Sequence, residues 1–329
     1  MTFFFRGHII NYVIKSSKKF IGILLILGAA LCFALMNLFV NLAGELPLMQ
    51  KVFFRNSITV VVVFFLLLFQ KEKFRIHDKS CILWLFLRAA VGYIGVVLNF
   101  YAIDHIGSIS DASILNKLSP FFAILFSVFL LKEKPSWQQI VFVLLAFAGA
   151  MCVVKPSFST EVLPALSGFC SGMCAGFAYT CVRILGQKGE RGMMTVFFFA
   201  LFSTVISLPF MIAWYRPMTL MQTVWLLLSG CAATGGQFFI TAAYRSAPAK
   251  EIAVFDYAQV LFAAILGYFV LSQIPDALSF AGYAIIIAAA IGNYLYRLGV
   301  AKRETAAQKK ADGEDSKERS SEKNTDKSR

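Results

Sequence analysis

Long apolar segments alternate with short polar joints along most of the chain. Each segment runs for about 20 residues, the length that an α-helix needs to cross roughly 30 Å of hydrocarbon. The pattern predicts ten such helices, at residues 20–42, 50–70, 81–103, 109–131, 136–154, 162–185, 193–214, 222–243, 250–271 and 276–297. The predicted fold class is therefore an all-α integral membrane protein with ten transmembrane helices.

One part of the pattern occurs twice. Residues 111–135 contain polar side chains within an otherwise apolar segment, and residues 252–275 repeat that arrangement 140 positions further along. The matched positions are Asn116 with Asp256, Lys117 with Tyr257, Ser119 with Gln259 and Pro135 with Pro275. Because a polar group in hydrocarbon is costly unless it has a partner, a repeated polar cluster predicts a functional site.

The repeat divides the chain into two halves, residues 20–154 and 162–297, with five predicted helices in each. Because five is an odd number, the second half is expected to enter the membrane in the opposite sense to the first. The predicted architecture is a 5+5 inverted repeat, whose halves are related by an axis in the membrane plane. Many secondary transporters built in this way hold the substrate near the midplane, where the halves meet.

Composition supports a membrane protein, since 58% of the 329 residues are hydrophobic, 15% are charged and the mean hydropathy is +0.71. The net charge of +13 does not indicate a nucleic-acid partner, because the basic residues lie between the helices rather than in one patch. Eighteen of them lie at alternate joints and near both ends, against three at the other joints. Both termini are therefore predicted to lie in the cytoplasm, with the protein in the cytoplasmic membrane.

The two ends of the chain differ from its apolar body. Residues 1–19 are expected to form a basic cytoplasmic leader, with a position on the membrane surface as the alternative. The helix that follows is long and lacks a clear cleavage site, so it is expected to remain in the mature protein. Residues 298–329 mix basic and acidic side chains and are predicted to be a disordered, charged cytoplasmic tail.

Three cationic side chains lie within the predicted helices, namely Arg55, Arg88 and Lys117. Inserting such a charge near a helix centre costs about 2.5 to 3.5 kcal/mol, so each side chain should face protein or water. Their counterparts in the second half are uncharged, which favours a role in substrate binding or gating over a role in holding the fold. Two alternatives stay open: Arg55 could reach the membrane surface, and Arg88 could bridge helices through backbone carbonyls.

Asp256 is the acidic residue that lies well inside a predicted helix, and the repeat puts it opposite Lys117. We expect these two residues to form a charge pair that breaks or re-forms as the site changes its exposure or binds a proton. The alternative is that each finds a separate polar neighbour. Other residues predicted to line the same cavity are Asn116, Tyr257, Gln259, Tyr93, Asn99, Gln237, Asn37, Asn41, Tyr179 and Tyr244. As a group they indicate a polar organic substrate rather than a bare ion.

No enzyme or metal-site signature competes with this interpretation. The sequence has no phosphate-binding loop and no H-E-x-x-H motif, and its three histidines lie in the leader or at joints. The seven cysteines lack C-x-x-C spacing and are expected to pack as small apolar residues. No catalytic residue and no cofactor is predicted, and glycine-bearing helix faces leave homodimerisation open.

Residues 100–154, FYAIDHIGSISDASILNKLSPFFAILFSVFLLKEKPSWQQIVFVLLAFAGAMCVV, resemble the drug/metabolite transporter superfamily in its EamA branch. The shared features are a third helix rich in small residues, a proline in the fourth helix and a glutamate before a helix start. In this chain they correspond to Ala102, Pro120, Glu133 and Gly149. The second half departs from the pattern, because Val260 and Gln273 stand where the proline and the glutamate would be.

The resemblance implies a secondary transporter that moves a small organic metabolite across the cytoplasmic membrane by alternating access. The expected partners are the lipid bilayer and a small-molecule substrate. The buried cations suit a substrate that is anionic or amphipathic. Proton coupling through Asp256 stays open. One alternative is a multidrug or amino-acid exporter of the same fold, in which the cations serve the fold. Another is a membrane scaffold that does not transport.

Overall fold

A computed structural model describes the backbone of residues 2–70, 74–105, 115–155, 162–272 and 274–326. Within these ranges every regular element is helical. Among the described residues, nine helices are long and apolar enough to cross a membrane, and a tenth apolar helix is shorter. The predicted all-α membrane fold is confirmed. Positions 109–114 of the fourth predicted helix lie outside the described residues.

The ten helices are numbered in chain order. Their bounds are α1 Thr2–Leu42, α2 Leu48–Leu68, α3 Lys79–His105, α4 Ser119–Leu131, α5 Trp137–Val154, α6 Val162–Gln187, α7 Gly192–Ala213, α8 Leu220–Ser246, α9 Ala249–Leu271 and α10 Ala277–Asp326. Capping boxes fix the starts of α5 and α8, where Ser136 pairs with Gln139 and Thr219 with Gln222. In each box the first residue's side chain accepts a hydrogen bond from the backbone N–H of the glutamine, and the glutamine side chain accepts one from the backbone N–H of the first residue.

The two halves pack against each other in a reciprocal pattern. Helix α1 packs on α8 as α6 packs on α3, while α2 pairs with its own counterpart α7, and α5 with α10. Single residues show the same relation: a Cβ added at Gly95 would lie 2.9 Å from Cys174 Cβ, and one at the matching Gly235 would lie 3.1 Å from Cys32 Sγ. Each half therefore meets the other through equivalent surfaces, as a two-fold relation requires.

The sequence predicts continuous helices at 109–131 and 250–271, but both segments are interrupted in the structure. The backbone forms a turn at Lys117 and Leu118 before α4 begins, and Pro120 lies in the first turn of α4, where a missing N–H is tolerated. In α9 the residues Ala253–Tyr257 form a 3-10 helix between two α-helical parts. The interruptions lie at matched positions of the repeat, and both carry the polar clusters.

Both ends of the chain continue their neighbouring helices. Helix α1 begins at Thr2, so residues 2–19 and the first predicted span form one helix. Helix α10 continues to Asp326, through residues 298–326 for which the sequence predicts disorder. The segment is rich in Ala, Glu and Lys, which favour helix strongly, and an existing helix extends without a new nucleation step.

Candidate substrate site

Glycines on α6 position the interrupted start of α4. A Cβ added at Gly172 would lie 2.7 Å from the Leu115 carbonyl oxygen, and one at Gly176 would lie 2.5 Å from Phe122 Cβ. The close approach also lets Asn116 Nδ2 donate to Ser171 Oγ at 3.1 Å. Our sequence interpretation missed this surface, although the G-x-x-x-G-x-x-x-G spacing that starts at Gly168 is a known signal for close helix packing.

Lys117 lies where the two interrupted helices meet. Its Nζ atom is 3.4 Å from Asp256 Oδ2 and 2.5 Å from Gln259 Oε1, and its side chain is 11% exposed against 6% for Asp256. Its backbone carbonyl accepts a hydrogen bond of 3.0 Å from the Tyr257 hydroxyl. The predicted contact between Lys117 and Asp256 is therefore present. Because Lys117 and Tyr257 are repeat counterparts, their direct contact lies on the axis that relates the halves.

Arg88 on α3 is held by neutral groups of the second half. Its Nη2 donates to Gln237 Oε1 at 3.0 Å, and its guanidinium carbon lies 4.1 Å from the centre of the Phe199 ring. Gly92, one turn along α3, makes room for the guanidinium, since a Cβ there would overlap Arg88 Nη1. Arg88 Nε has no hydrogen-bond partner among the described residues. Arg88 therefore bridges helices through a side-chain amide oxygen and an aromatic ring, and not through backbone carbonyls, the alternative that the sequence left open.

Arg55 on α2 is 7% exposed, so it does not reach the membrane surface. Within the described part of the chain its guanidinium makes no hydrogen bond or ion pair, and its buried Nε atom is unsatisfied. It is close enough to Arg88 for the two positive charges to repel each other. One turn further along α2, Thr59 Oγ1 lies 2.9 Å from Thr234 Oγ1 and fixes this helix against α8.

Two tyrosines connect the arginines to Asp256. Tyr179 and Tyr244 stack with ring centroids 4.9 Å apart and an interplanar angle of 17°. Tyr179 lies within electrostatic range of Arg55, Arg88 and Asp256. The Tyr244 hydroxyl is buried and has no hydrogen-bond partner among the described residues. The structure therefore gathers the three predicted cations, Asp256 and both tyrosines into one buried region.

Three predicted site residues have no hydrogen bond or ring contact with this region among the described residues. The rings of Tyr93 and Phe202 make an edge-to-face contact, with centroids 6.3 Å apart. Asn99 is half-buried, and its Oδ1 atom has no partner in the described part of the chain. Asn37 lies on an exposed face of α1 and does not join the buried cluster. The prediction that Asn37 lines the site is not supported, because a helix that is apolar nearly all round gives no sequence signal for its buried face.

Ion pairs join the two halves at both ends of the bundle. At the end of α4, Arg183 Nε lies 3.6 Å from Glu133 Oε1, with both side chains largely buried. Burial raises the pKa of the Glu133 carboxyl, and the charge of Arg183 opposes that effect. At the opposite end of α5, Lys155 Nζ lies 2.5 Å from Asp276 Oδ1, and its hydrogen bond lowers the pKa of that exposed carboxyl.

An open cavity of about 630 Å³ lies between the α1–α2 and α7–α8 joints, where Glu45, Lys51 and Arg216 contribute to its walls. It lies apart from the buried cations, which protein encloses in this conformation. No group of three His, Cys, Asp or Glu side chains that could hold a metal ion occurs among the described residues.

Fold and site together define a multi-pass membrane protein whose two halves enclose a buried polar cluster. Residues 20–155 and 163–295 each match the model of the EamA-like transporter family. The chain belongs to that family, as its sequence suggested.

Relatives with assigned names agree with this family. The chain is 34% identical over 275 residues to "Pseudopaline exporter CntI" of Pseudomonas aeruginosa. This match covers 82% of this chain and 94% of that protein. It is 26% identical to human "Solute carrier family 35 member G1" and 24% identical to the "S-adenosylmethionine uptake transporter" of Rickettsia prowazekii, over 83% and 62% of this chain. These matches extend over 78% and 69% of those two proteins. A solved crystal structure shares the fold, with a TM-score of 0.70 at 16% identity over 84% of this chain and 98% of that one.

Proposed function

We propose that the protein moves a small organic metabolite with an anionic group across the cytoplasmic membrane. The observation that carries this proposal is that the two buried arginines have no carboxylate partner among the described residues. Arg55 has no partner in the described part of the chain, and Arg88 is bonded to a neutral amide. A buried cation is costly unless it is paired, so a site that leaves two guanidinium groups without a carboxylate is suited to an anionic ligand.

Alternating access is the mechanism that the architecture supports. The halves meet through equivalent surfaces, and the buried cluster lies at the contact between Lys117 and its counterpart Tyr257. Rocking of one half against the other about this contact would expose the cluster to each side in turn. The ion pairs Glu133–Arg183 and Lys155–Asp276 join the halves at opposite ends and would open alternately.

Coupling to protons is the finer part of the proposal. Asp256 lies beside Lys117, and a substrate anion that binds Lys117 would free the Asp256 carboxylate to accept a proton. The exporter named among the relatives supports outward movement of the substrate.

Transport by the full-length protein in proteoliposomes tests the proposal. A panel of labelled carboxylated, neutral and cationic metabolites is assayed with and without an imposed pH gradient. We expect saturable flux of a carboxylated compound that depends on the protein and is lost in Arg88→Gln. Flux restricted to neutral or cationic compounds, with Arg88→Gln as active as the unmodified protein, would contradict an anionic substrate.

A further inference from the structure

Two separate guanidinium groups in the site have unused hydrogen-bond donors. Arg55 on α2 offers its whole guanidinium, since none of its donors has a partner in the described part of the chain. Arg88 on α3 uses Nη2 for Gln237 and retains an unpaired Nε. A guanidinium has five N–H donors in a planar fork that matches a carboxylate. The site thus presents two anion-binding points rather than one.

The charges of the cluster do not balance. Arg55, Arg88 and Lys117 are cationic, and among the described residues Asp256 is the carboxylate that lies with them, so these four groups have a net charge of +2 when all are ionised. The two arginines also repel each other. A ligand with one negative charge would leave half of this excess uncompensated in a site of low dielectric constant. A ligand with two negative charges would neutralise it.

The stacked tyrosines add neutral donors to this arrangement. Tyr244 has a buried hydroxyl without a partner among the described residues, and it stacks on Tyr179, which lies within electrostatic range of both arginines. A buried hydroxyl that is left unsatisfied costs free energy, and an anionic oxygen of a ligand would satisfy it. The region therefore combines two cations with a hydroxyl donor whose partner a ligand can supply.

We propose that the site is built for a metabolite with two carboxylate groups, one bound by Arg55 and the other by Arg88. This inference rests on the proposed transport function and narrows its substrate class. A single phosphate group also carries two negative charges, but two arginines on different helices, each with its own unused donors, can each bind one carboxylate. The two chemistries predict different binding and are separated below.

Binding of paired ligands to the purified full-length protein tests the inference. Thermal unfolding is followed with glutarate, with its monoamide glutaramate and with inorganic phosphate, all at one ionic strength. We expect glutarate to stabilise the protein and to bind at least about tenfold more tightly than glutaramate, which lacks one charged group. Arg55→Gln should abolish this difference. Equal binding of the two compounds, no stabilisation by glutarate, or phosphate binding as tightly as glutarate would overturn the inference.

A stability measurement distinguishes a binding role of Arg55 from a structural one. If Arg55 serves a ligand, Arg55→Gln should raise the unfolding temperature of the empty protein, because it removes an unpaired buried charge. Arg297 is the control, since its Nη2 lies 2.8 Å from Glu251 Oε2 and both side chains of that pair are largely buried. Arg297→Gln should lower the unfolding temperature. A fall of the same size in Arg55→Gln would assign Arg55 to the fold and would contradict the inference.

The binding and transport experiments fail independently. Flux of monocarboxylates in proteoliposomes, without preference for dicarboxylates, would overturn the two-carboxylate inference and leave the proposed function in place. Selective binding of glutarate by a protein that transports no metabolite would support the two-carboxylate inference and overturn the proposed function.

Discussion

Lys117 Nζ lies 3.4 Å from Asp256 Oδ2, and this contact joins the interrupted start of α4 in one half to the 3-10 turn of α9 in the other. Both side chains are almost enclosed, so the charges stabilise each other where water cannot. Removing one of them leaves an uncompensated buried charge, which typically costs about 3 to 5 kcal/mol. Replacing both by apolar residues removes that cost.

The pair predicts a separation of stability from transport. Lys117→Met alone should lower the free energy of unfolding by about 3 kcal/mol, and the double variant Lys117→Met/Asp256→Leu should recover most of that loss. Transport should be lost in both, because the double variant has no charge to exchange with substrate or proton. Unfolding in detergent and flux in proteoliposomes measure the two effects. A Lys117→Met protein that transports at the unmodified rate would remove the pair from the mechanism.

Gly92 predicts a substitution that displaces Arg88 without changing any charge. In Gly92→Ala the added Cβ would overlap Arg88 Nη1, so the guanidinium would have to leave its position beside Gln237 and Phe199. We expect substrate affinity to fall at least about tenfold, since a charge-assisted hydrogen bond contributes about 1.5 to 3 kcal/mol. Gly299→Ala is the control, because a Cβ there meets nothing within 4 Å. Equal affinity in the two variants would show that the position of Arg88 is unimportant.

Gly176 predicts a loss of stability from crowding. Its Cβ position lies 2.5 Å from Phe122 Cβ and 2.7 Å from the Ala123 backbone nitrogen, and a backbone atom cannot move aside as a flexible side chain can. Gly176→Ala should therefore lower the free energy of unfolding by about 1 to 3 kcal/mol, as overpacking usually does. Thermal unfolding beside Gly299→Ala measures the effect. An unchanged unfolding temperature would mean that α4 and α6 are less closely packed than described.

The buried carboxyl of Glu133 should make the stability of the protein depend on pH in a way that Glu133→Gln does not. Burial raises the pKa of this carboxyl above its ordinary value, so the folded protein holds the proton more tightly than the unfolded chain does. Its contribution to stability is present below the unfolded pKa and is lost as the pH rises through the folded pKa. Glu133→Gln should show a smaller fall in unfolding temperature from pH 4.5 upward than the unmodified protein. Parallel profiles would show that Arg183 offsets the burial fully.

The parts of the site that the sequence predicted were those marked by charge and by the repeat. Lys117 and Asp256 were paired because a lysine and an aspartate in apolar segments are costly and occupy neighbouring positions of the repeat. We did not predict that Tyr179 stacks on Tyr244 or that the Arg88 guanidinium lies over the Phe199 ring. Contacts of this kind depend on how helices rotate about their axes, and apolar residues on all sides leave that rotation unspecified.

The sequence by itself determined the number of apolar spans, their division into two similar halves and the two positions at which polar residues interrupt them. These features depend on the cost of placing polar groups in hydrocarbon, which acts on each segment separately. Tertiary structure alone decided that α4 and α9 break at those positions, that Arg55 is buried without a partner and that Asn37 is turned away. The reason is that a side chain's partners are set by the helices packed against it, and residues distant in the sequence contribute them.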